Sequence, residues 1–302
     1  MAVFDVRGIV DELGSLRDAW RDSQHRPRAP HAREFPSRTV LGHVVEQIKG
    51  ALFPMRLGPE DLRHDGENLY VGYTLNCALQ SLFTQAQLEL RYQARHDEPD
   101  PAAIERRARD AVDSFAAALP GVRRLLDQDV LAAYQGDPAA TSVDEVLLCY
   151  PGILALIHYR LAHLLYLAGL RLLPRIVTEI AHSQTGIDIH PGAQIGASCF
   201  IDHGTGVVIG ETARLGNGVR IYQAVTLGAK HFPEDAEGNL KKGLLRHPIV
   251  EDDVVIYAGA TILGRVTLGK GAVIGGNVWV TEDVAPGAAL SQASLRSAPR
   301  HE

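Results

Sequence analysis

Between residues 187 and 286, apolar residues return every six positions as pairs separated by a single residue. A six-residue period is typical of a parallel β-helix, in which each unit forms one short strand and one turn, and three units close a triangular coil. We therefore predict a β-helix over 185–286 whose paired apolar side chains point inward. The predicted inward pairs are Ile187/Ile189, Ala193/Ile195, Cys199/Ile201, Val207/Ile209, Ala213/Leu215, Val219/Ile221, Val225/Leu227, Val254/Ile256, Ala260/Ile262, Val266/Leu268, Ala272/Ile274 and Val278/Val280.

The chain before residue 185 has apolar positions at helical spacing instead. The predicted fold class is thus α+β, with an all-helical domain at 37–184 followed by the β-helix. An N-terminal arm at 1–36 and a flexible tail at 287–302 complete the predicted organisation. Pro120 and Pro174 are expected to end helices, because proline lacks the amide hydrogen that a helix interior uses. The predicted helices are 11–21, 38–51, 69–95, 102–119, 122–134, 144–149 and 153–173.

The six-residue pattern is interrupted in two places. The step from Ile201 to Ile209 spans eight residues rather than six, which adds two residues to the turn that contains His203. The second interruption, 229–246, is polar and is predicted to protrude as a loop. Long loops on a regular scaffold often carry function, so we expect functional residues at these two places.

Composition narrows the class of protein. The chain has 302 residues, a net charge of −6 and 46% hydrophobic residues, so it offers no general attraction to nucleic acid or to an anionic membrane. Its three cysteines are widely spaced and odd in number, which favours a reducing cytoplasm. We expect no signal peptide, and the basic residues within 153–173 predict a buried helix rather than a membrane span.

A candidate catalytic pair follows from the spacing of Asp188 and His203. They are fifteen residues apart, so in a β-helix they fall on neighbouring coils at nearly the same corner. A carboxylate beside an imidazole fixes its tautomer and raises the basicity of the other ring nitrogen, which suits a general base. The alternative is that His203 is a turn residue bonded to the backbone. Asp202, Arg246 and His247 are further polar candidates beside the interruptions.

A zinc site is the other chemistry that the histidines allow. His182, His190, His203 and His247 could contribute ligands, although no Cys-x-x-Cys or His-x-x-x-His pair supports such a site. We therefore predict no metal. The chain also contains no P-loop, dinucleotide-binding fingerprint or Gly-x-Ser-x-Gly elbow.

Four motifs together make the sequence resemble the serine O-acetyltransferases, over about residues 135–285. They are Asp188-Ile-His-Pro-Gly-Ala-Gln-Ile-Gly, Ile201-Asp-His-Gly-Thr-Gly-Val-Val-Ile-Gly-Glu-Thr, Val225-Thr-Leu-Gly and Arg246-His-Pro-Ile-Val. The resemblance implies a left-handed β-helix and a homotrimer, in which helical domains could pair two trimers. It also implies acetyl transfer from acetyl-CoA to the L-serine hydroxyl, giving O-acetylserine and CoA for cysteine synthesis, with L-cysteine as feedback inhibitor.

The resemblance also implies a role for each matching residue. His203 would be the general base with Asp188 as its carboxylate partner, and His247 would be a second active-site histidine. The ammonium group of serine would lie near Asp137 and Asp202, and its carboxylate near Arg246. CoA would contact the main chain near Gly228, Ala258 and Gly276.

Two departures from the family pattern bear on partners. The loop 229–246 is longer than in the best-known bacterial members, and the chain ends Pro299-Arg-His-Glu instead of in isoleucine. Because the terminal isoleucine binds the next enzyme, the sulfhydrylase, this ending argues against that complex. The remaining alternatives are another hexapeptide acyltransferase acting on a sugar or a different amino acid, a γ-carbonic-anhydrase-like zinc enzyme, and an inactive scaffold.

Overall fold

A computed structural model describes residues 4–24, 34–95, 100–231, 233–235 and 237–293 of the chain. Most of the predicted tail, including its final residues 299–302, and parts of the predicted arm lie outside these ranges. The helices are α1 (Arg7–Ser23), α2 (Arg38–Leu52), α3 (Pro54–Leu57), α4 (Glu67–Gln93), α5 (Pro101–Gly136), α6 (Val143–Cys149), α7 (Pro151–Leu167) and α8 (Leu172–Thr185), with a 3₁₀ turn at His64–Gly66.

The C-terminal part is a left-handed parallel β-helix with three sheets, which confirms the predicted fold class. Every predicted inward residue is buried. The strands are β1 (Asp188–Ile189), β2 (Gln194–Ile195), β3 (Phe200–Ile201), β4 (Val208–Ile209), β5 (Arg214–Leu215), β6 (Arg220–Ile221), β7 (Thr226–Gly228), β8 (Ile249–Val250), β9 (Val255–Ile256), β10 (Thr261–Leu263), β11 (Thr267–Leu268), β12 (Val273–Ile274), β13 (Trp279–Val280) and β14 (Ala289–Leu290).

Successive strands pass from one sheet to the next around the triangle. The first sheet contains β1, β4, β7, β10 and β13, the second contains β2, β5, β8 and β11, and the third contains β3, β6, β9, β12 and β14. Two strands lie outside the predicted pattern. β8 precedes the point where the pattern was expected to resume, and β14 lies beyond residue 286.

The helix break predicted at Pro120 is wrong, because α5 continues through this residue. The buried stripe of the helix stays in phase across the proline, from Phe115 and Leu119 to Val122 and Leu126. Continuous burial of one face offsets the local cost of about 3 kcal/mol that an interior proline imposes.

The single apolar helix predicted at 153–173 is also wrong, because two helices occupy this region. α7 ends at Leu167, and Gly169 follows with a φ of 84°, a left-handed conformation that glycine adopts without strain. Pro174 lies in the first turn of α8, where its missing amide hydrogen costs nothing. Within the described part of the chain, no single helix is long and apolar enough to cross a membrane. Helices α6 and α7 reach the necessary length and apolar composition only when taken together, and they are bent by 72° relative to each other.

Helices α5 and α7 cover the open end of the β-helix. Among the described strands, the terminal strand β2 has a neighbour on one side only, and the Tyr159 hydroxyl bonds to its free edge by accepting from Ile195 N (3.1 Å) and donating to Ala193 O (2.7 Å). Arg160 donates to the carbonyls of Ile195 and Gly196. These contacts pair backbone groups that would otherwise be buried unpaired, and they fix the helical domain on the first coil.

A buried ion pair supports the same junction. Arg160 Nε lies 2.6 Å from Asp129 Oδ2, and both side chains are almost fully buried. Asp129 Oδ1 also accepts a hydrogen bond from Cys199 N at 3.0 Å. Burial raises the pKa of Asp129, whereas Arg160 acts in the opposite direction. The pair therefore links α5, α7 and the first coil through one charged group on each helix.

We expect Tyr159→Phe to lower the free energy of unfolding by about 1–3 kcal/mol, because it leaves a buried amide and a buried carbonyl without their partner. Chemical denaturation of the purified chain measures the change. Tyr134→Phe is the matched control, because Tyr134 lies on α5 with its side chain partly in solvent. Equal stability of the two variants would contradict the capping role of Tyr159.

Candidate active site

One group of predicted residues lies at the corner between the third and first sheets, which we call the acidic corner. Asp202 and His203 directly follow β3, and His203 adopts a φ of 58° in this turn. The His203 side chain is 70% exposed, and its Nδ1 lies 3.7 Å from Asp202 Oδ1. The imidazole is thus open to a ligand while one ring nitrogen faces a carboxylate.

Asp137 reaches the acidic corner from the end of α5. Its Oδ2 accepts a hydrogen bond of 2.5 Å from the Tyr150 hydroxyl, and its Oδ1 accepts from Ala139 N at 2.8 Å. The Tyr150 bond, the Ala139 bond and the nearby charges of His203 and Arg220 hold the pKa of Asp137 below its ordinary value. The carboxylate is therefore ionised and held in place beside His203.

Asp188 lies at the predicted corner but is not paired with the His203 imidazole. It is the first residue of β1 and pairs with Val208 of β4, one level from His203. Among the hydrogen bonds of the described residues, none joins Asp188 to His203. Instead the carboxylate lies with Glu179 and His182 of α8, and the imidazole faces Asp202.

The second group lies at the corner between the first and second sheets, which we call the basic corner. Arg246 and His247 lie just before β8, separated from it by Pro248, and Arg246 Nη2 donates to Glu211 Oε2 at 2.8 Å. Partial burial raises the pKa of Glu211, but Arg246 and His190 outweigh it, so that pKa lies below its ordinary value. Glu211 is consequently ionised, and it holds the guanidinium at this corner.

Thr212 fixes the tautomer of His247. The Thr212 amide donates to His247 Nδ1 at 3.1 Å, so Nδ1 accepts and the neutral ring carries its hydrogen on Nε2. Burial, helped by Arg246, lowers the pKa of His247 to about 4, which keeps the ring neutral near pH 7. Gly210 lies against the ring, where a Cβ atom would come within 2.1 Å of it. His247 is thus a fixed, neutral hydrogen-bond donor.

The loop 229–246 adds a cavity at the basic corner. β7 ends at Gly228, and the loop residues Glu234 and Leu240 form an isolated antiparallel bridge. A cavity of about 310 Å³ is lined in part by Lys230, Leu244, Arg246, Leu263 and Arg265.

The predicted CoA contacts divide between the two corners. Gly228 lies at the basic corner, whereas Ala258 and Gly276 lie on the side of the acidic corner, in adjacent coils. Asn277 N donates to Ala258 O at 2.9 Å, which places the turns of these coils directly over one another.

The first sheet separates the two corners of one chain. About five residues of extended chain span this side, which at about 3.3 Å each places the corners on the order of 15 Å apart. Each charged group bonds within its own corner, Asp137 to Tyr150 and Arg246 to Glu211. The structure therefore brings the predicted residues together as two separate sets.

Comparison with known proteins identifies the family. A family model described as bacterial transferase hexapeptide (six repeats) matches residues 247–282. A plasmid-encoded serine acetyltransferase of Synechococcus elongatus is 55% identical over 294 residues, which are 96% of this chain and 92% of that protein. The chain belongs to the serine acetyltransferases. This membership confirms the predicted resemblance and the predicted class of acyltransferase enzyme.

Solved serine acetyltransferases share the fold. The Entamoeba histolytica serine acetyltransferase 1 in complex with L-cysteine is 36% identical, with a TM-score of 0.72 over 88% of this chain and 90% of that one. The Neisseria gonorrhoeae serine acetyltransferase in complex with serine is 28% identical, with a TM-score of 0.52 over 83% of this chain and 93% of that one.

Sequence reasoning assigned no role to three residues of this family member that hold its candidate site in place. They are Tyr150, Glu211 and Thr212, which contact Asp137, Arg246 and His247 respectively. Glu211 and Thr212 directly follow the inward-facing Ile209 and Gly210, so the six-residue pattern already placed them at a corner of the β-helix. That position could have identified them as site residues. Tyr150 precedes Pro151 at the start of a helix and carried no such signal.

Proposed function

We propose that this chain transfers the acetyl group of acetyl-CoA to the hydroxyl of L-serine, forming O-acetylserine and CoA for cysteine synthesis in the cytoplasm. The observation that carries the proposal is the charge pattern of the two corners. Serine is a zwitterion, and it needs carboxylates at one end and a guanidinium at the other. The ionised Asp137 beside Asp202, and Arg246 at the basic corner, supply these groups.

His203 is the general base of the proposed reaction. It takes the proton of the serine hydroxyl as the oxygen attacks the thioester carbonyl carbon of acetyl-CoA, and the carbonyl electron pair moves onto oxygen. Collapse of the tetrahedral intermediate breaks the carbon–sulfur bond, and the proton held by His203 passes to the CoA thiolate. Direct attack of this kind forms no acyl-enzyme. The proton that His203 removes from serine is the one that it gives to the CoA thiolate, so a single residue serves as base and then as acid.

His247 supports the negative charge that develops on the carbonyl oxygen. Its Nε2 hydrogen is fixed by the Thr212 amide at Nδ1, and the low pKa keeps the ring neutral. A preorganised donor stabilises an oxyanion without reorganisation during the reaction. Asp188 is assigned to orient His203, which requires its carboxylate to turn from His182 toward the imidazole one level away.

A homotrimer supplies the complete site. The two sets of residues lie on the order of 15 Å apart in one chain, whereas serine is only a few ångströms long. We infer that the acidic corner of one subunit faces the basic corner of the next, and that two trimers can pair through their helical domains. CoA then lies between subunits, which accounts for the division of Gly228 from Ala258 and Gly276.

L-Cysteine is the proposed feedback inhibitor at the serine site. It has the same ammonium and carboxylate groups as serine, so it can occupy the same two corners. The complex of the Entamoeba histolytica relative with L-cysteine supports this proposal. Inhibition is therefore competitive with serine.

An assay of acceptor choice tests the proposed function. The purified chain is incubated with acetyl-CoA and either L-serine, L-homoserine or a simple sugar, and the acetylated product is measured by mass spectrometry. We expect the largest kcat/KM for serine. Faster acetylation of a sugar would overturn the proposal, as would the absence of an acetylated product with serine.

We expect Tyr150→Phe to raise the KM for serine by about tenfold with a nearly unchanged kcat. A hydrogen bond to a charged group is worth about 1.5 kcal/mol, and its loss frees the Asp137 carboxylate to move. Asp137 stays ionised at pH 7, so the higher KM arises because the carboxylate is no longer held in place and not because it loses its charge. Tyr73→Phe is the control, because Tyr73 is exposed on α4. An unchanged KM in Tyr150→Phe would contradict this role.

A further inference from the structure

A second cluster of ligand groups lies beside the candidate active site, at the end of α8. Glu179 and His182 are three residues apart and lie on one face of the helix. Gly186, with a φ of 70°, then ends the helix, and Asp188 begins β1 next to this face. One ligand atom from each of Glu179, His182 and Asp188 lies within 4.8 Å of the others, a group of three found nowhere else among the described residues.

The distances within the cluster suit a metal ion. Glu179 Oε2 and His182 Nδ1 are 3.3 Å apart. Two ligands of a tetrahedral zinc ion, each at about 2.0–2.1 Å, are themselves separated by about 3.3 Å. With Asp188, whose ligand atom lies within 4.8 Å of the other two, the set comprises two carboxylates and one imidazole, which is a donor set for zinc-class ions.

The helix end favours a cation at the cluster, whereas the positive charges of Arg175 and Arg38, which also bond to Glu179, act against one. The cluster lies in the last turns of α8, where the partial negative charge of the helix end attracts positive charge. Arg175 donates to Glu179 Oε1, which leaves Oε2 directed at His182. Outer hydrogen bonds of this kind orient metal ligands. The His182 side chain is 43% exposed, so an ion reaches it from solvent.

We propose that Glu179, His182 and Asp188 bind a divalent zinc-class ion, and that the bound ion restrains Asp188 and slows acetyl transfer. The second part rests on the proposed function, in which Asp188 turns toward His203. The carboxylate cannot serve both partners at once, so metal binding shifts the population away from the catalytic arrangement. The ion is thus an inhibitor of the site rather than part of the reaction.

Cobalt binding tests the site without reference to activity. The metal-free full chain is titrated with Co²⁺, followed by visible absorption, and Zn²⁺ stoichiometry is measured after dialysis. We expect one ion per chain, with binding at least ~10-fold weaker in His182→Ala. His64→Ala is the matched control, because His64 contacts Glu67 at the same spacing but belongs to no group of three ligands among the described residues.

Three results of the titration would overturn the metal site. They are no binding by the wild type, equal binding by His182→Ala, and a cobalt–sulfur absorption band, which would assign the ion to a cysteine such as Cys77 or Cys149. Thermal unfolding of each variant confirms that it is folded, and the exposed position of His182 makes this the expected result.

Acetyl transfer in the presence of zinc tests the coupling to Asp188. O-Acetylserine is measured directly by mass spectrometry, because the thiol of CoA itself binds zinc. We expect saturating zinc to slow the wild type at least ~10-fold and to leave His182→Ala unchanged. An equal response of the two proteins would overturn the coupling. Absence of acetyl transfer in the metal-free protein would overturn the proposed function, whereas cobalt binding would still report on the site.

Discussion

We expect His203→Ala to lower kcat by at least ~10²-fold while the protein remains folded, because no other group at the acidic corner is placed to take the serine proton. The neighbouring Asp202 and Asp137 are assigned to the ammonium group, and Asp137 is ionised and bonded to Tyr150. The measurement is steady-state formation of O-acetylserine with serine and acetyl-CoA both saturating.

The controls for this prediction separate chemistry from structure. His64→Ala removes an exposed histidine far along the chain and should leave kcat unchanged. Thermal unfolding of His203→Ala should match the wild type, because the side chain is 70% exposed. A near-normal kcat in the variant would remove His203 from the role of general base.

The dependence of Asp188 on His203 can be measured in the same assay. If Asp188 acts only by orienting the imidazole, Asp188→Asn lowers kcat when introduced into the wild type but causes no further loss of kcat when introduced into His203→Ala. Residues that act as one unit show this non-additivity. Additive losses in the double variant would assign Asp188 a separate function.

The regular part of the fold was predictable from the sequence because each six-residue unit buries its own apolar pair. Ile187 and Ile189 face inward for the same reason as Val278 and Val280, and no long-range information is needed. The helices were less predictable where a proline was expected to end a helix. At Pro120 the in-phase burial of Leu119 and Val122 decides the outcome, which depends on packing against other helices.

The candidate site was predictable where the six-residue pattern fails. His203 lies in the longer turn, and Arg246 and His247 lie at the end of the loop. The partners of these residues were not predictable, since contacts such as Tyr150 with Asp137 depend on how α5 and α6 meet. Likewise, spacing placed Asp188 at the corner of His203, but the neighbourhood of α8 decides which way the carboxylate points.

Mixed trimers should regain activity from two inactive parents. His203→Ala disables the acidic corner, and Arg246→Ala disables the basic corner by removing a charge that is needed for serine, at a cost of about 10²-fold in kcat/KM. If each site combines the acidic corner of one subunit with the basic corner of the next, any trimer that contains both variants has one junction with both corners intact. The expected activity is therefore about one third of wild type in a cyclic, head-to-tail trimer.

Co-expression of the two variants with different affinity tags, followed by purification on both tags in turn, isolates the mixed trimers. A trimer of His203→Ala chains carrying both tags is the control and should stay inactive. Recovery to about one third cannot arise within a single chain, because every chain in the mixture lacks either His203 or Arg246. Activity that stays at the level of the parents would place both corners of a working site in one subunit, and the chain would then have to bring Arg246 across the first sheet from its present contact with Glu211.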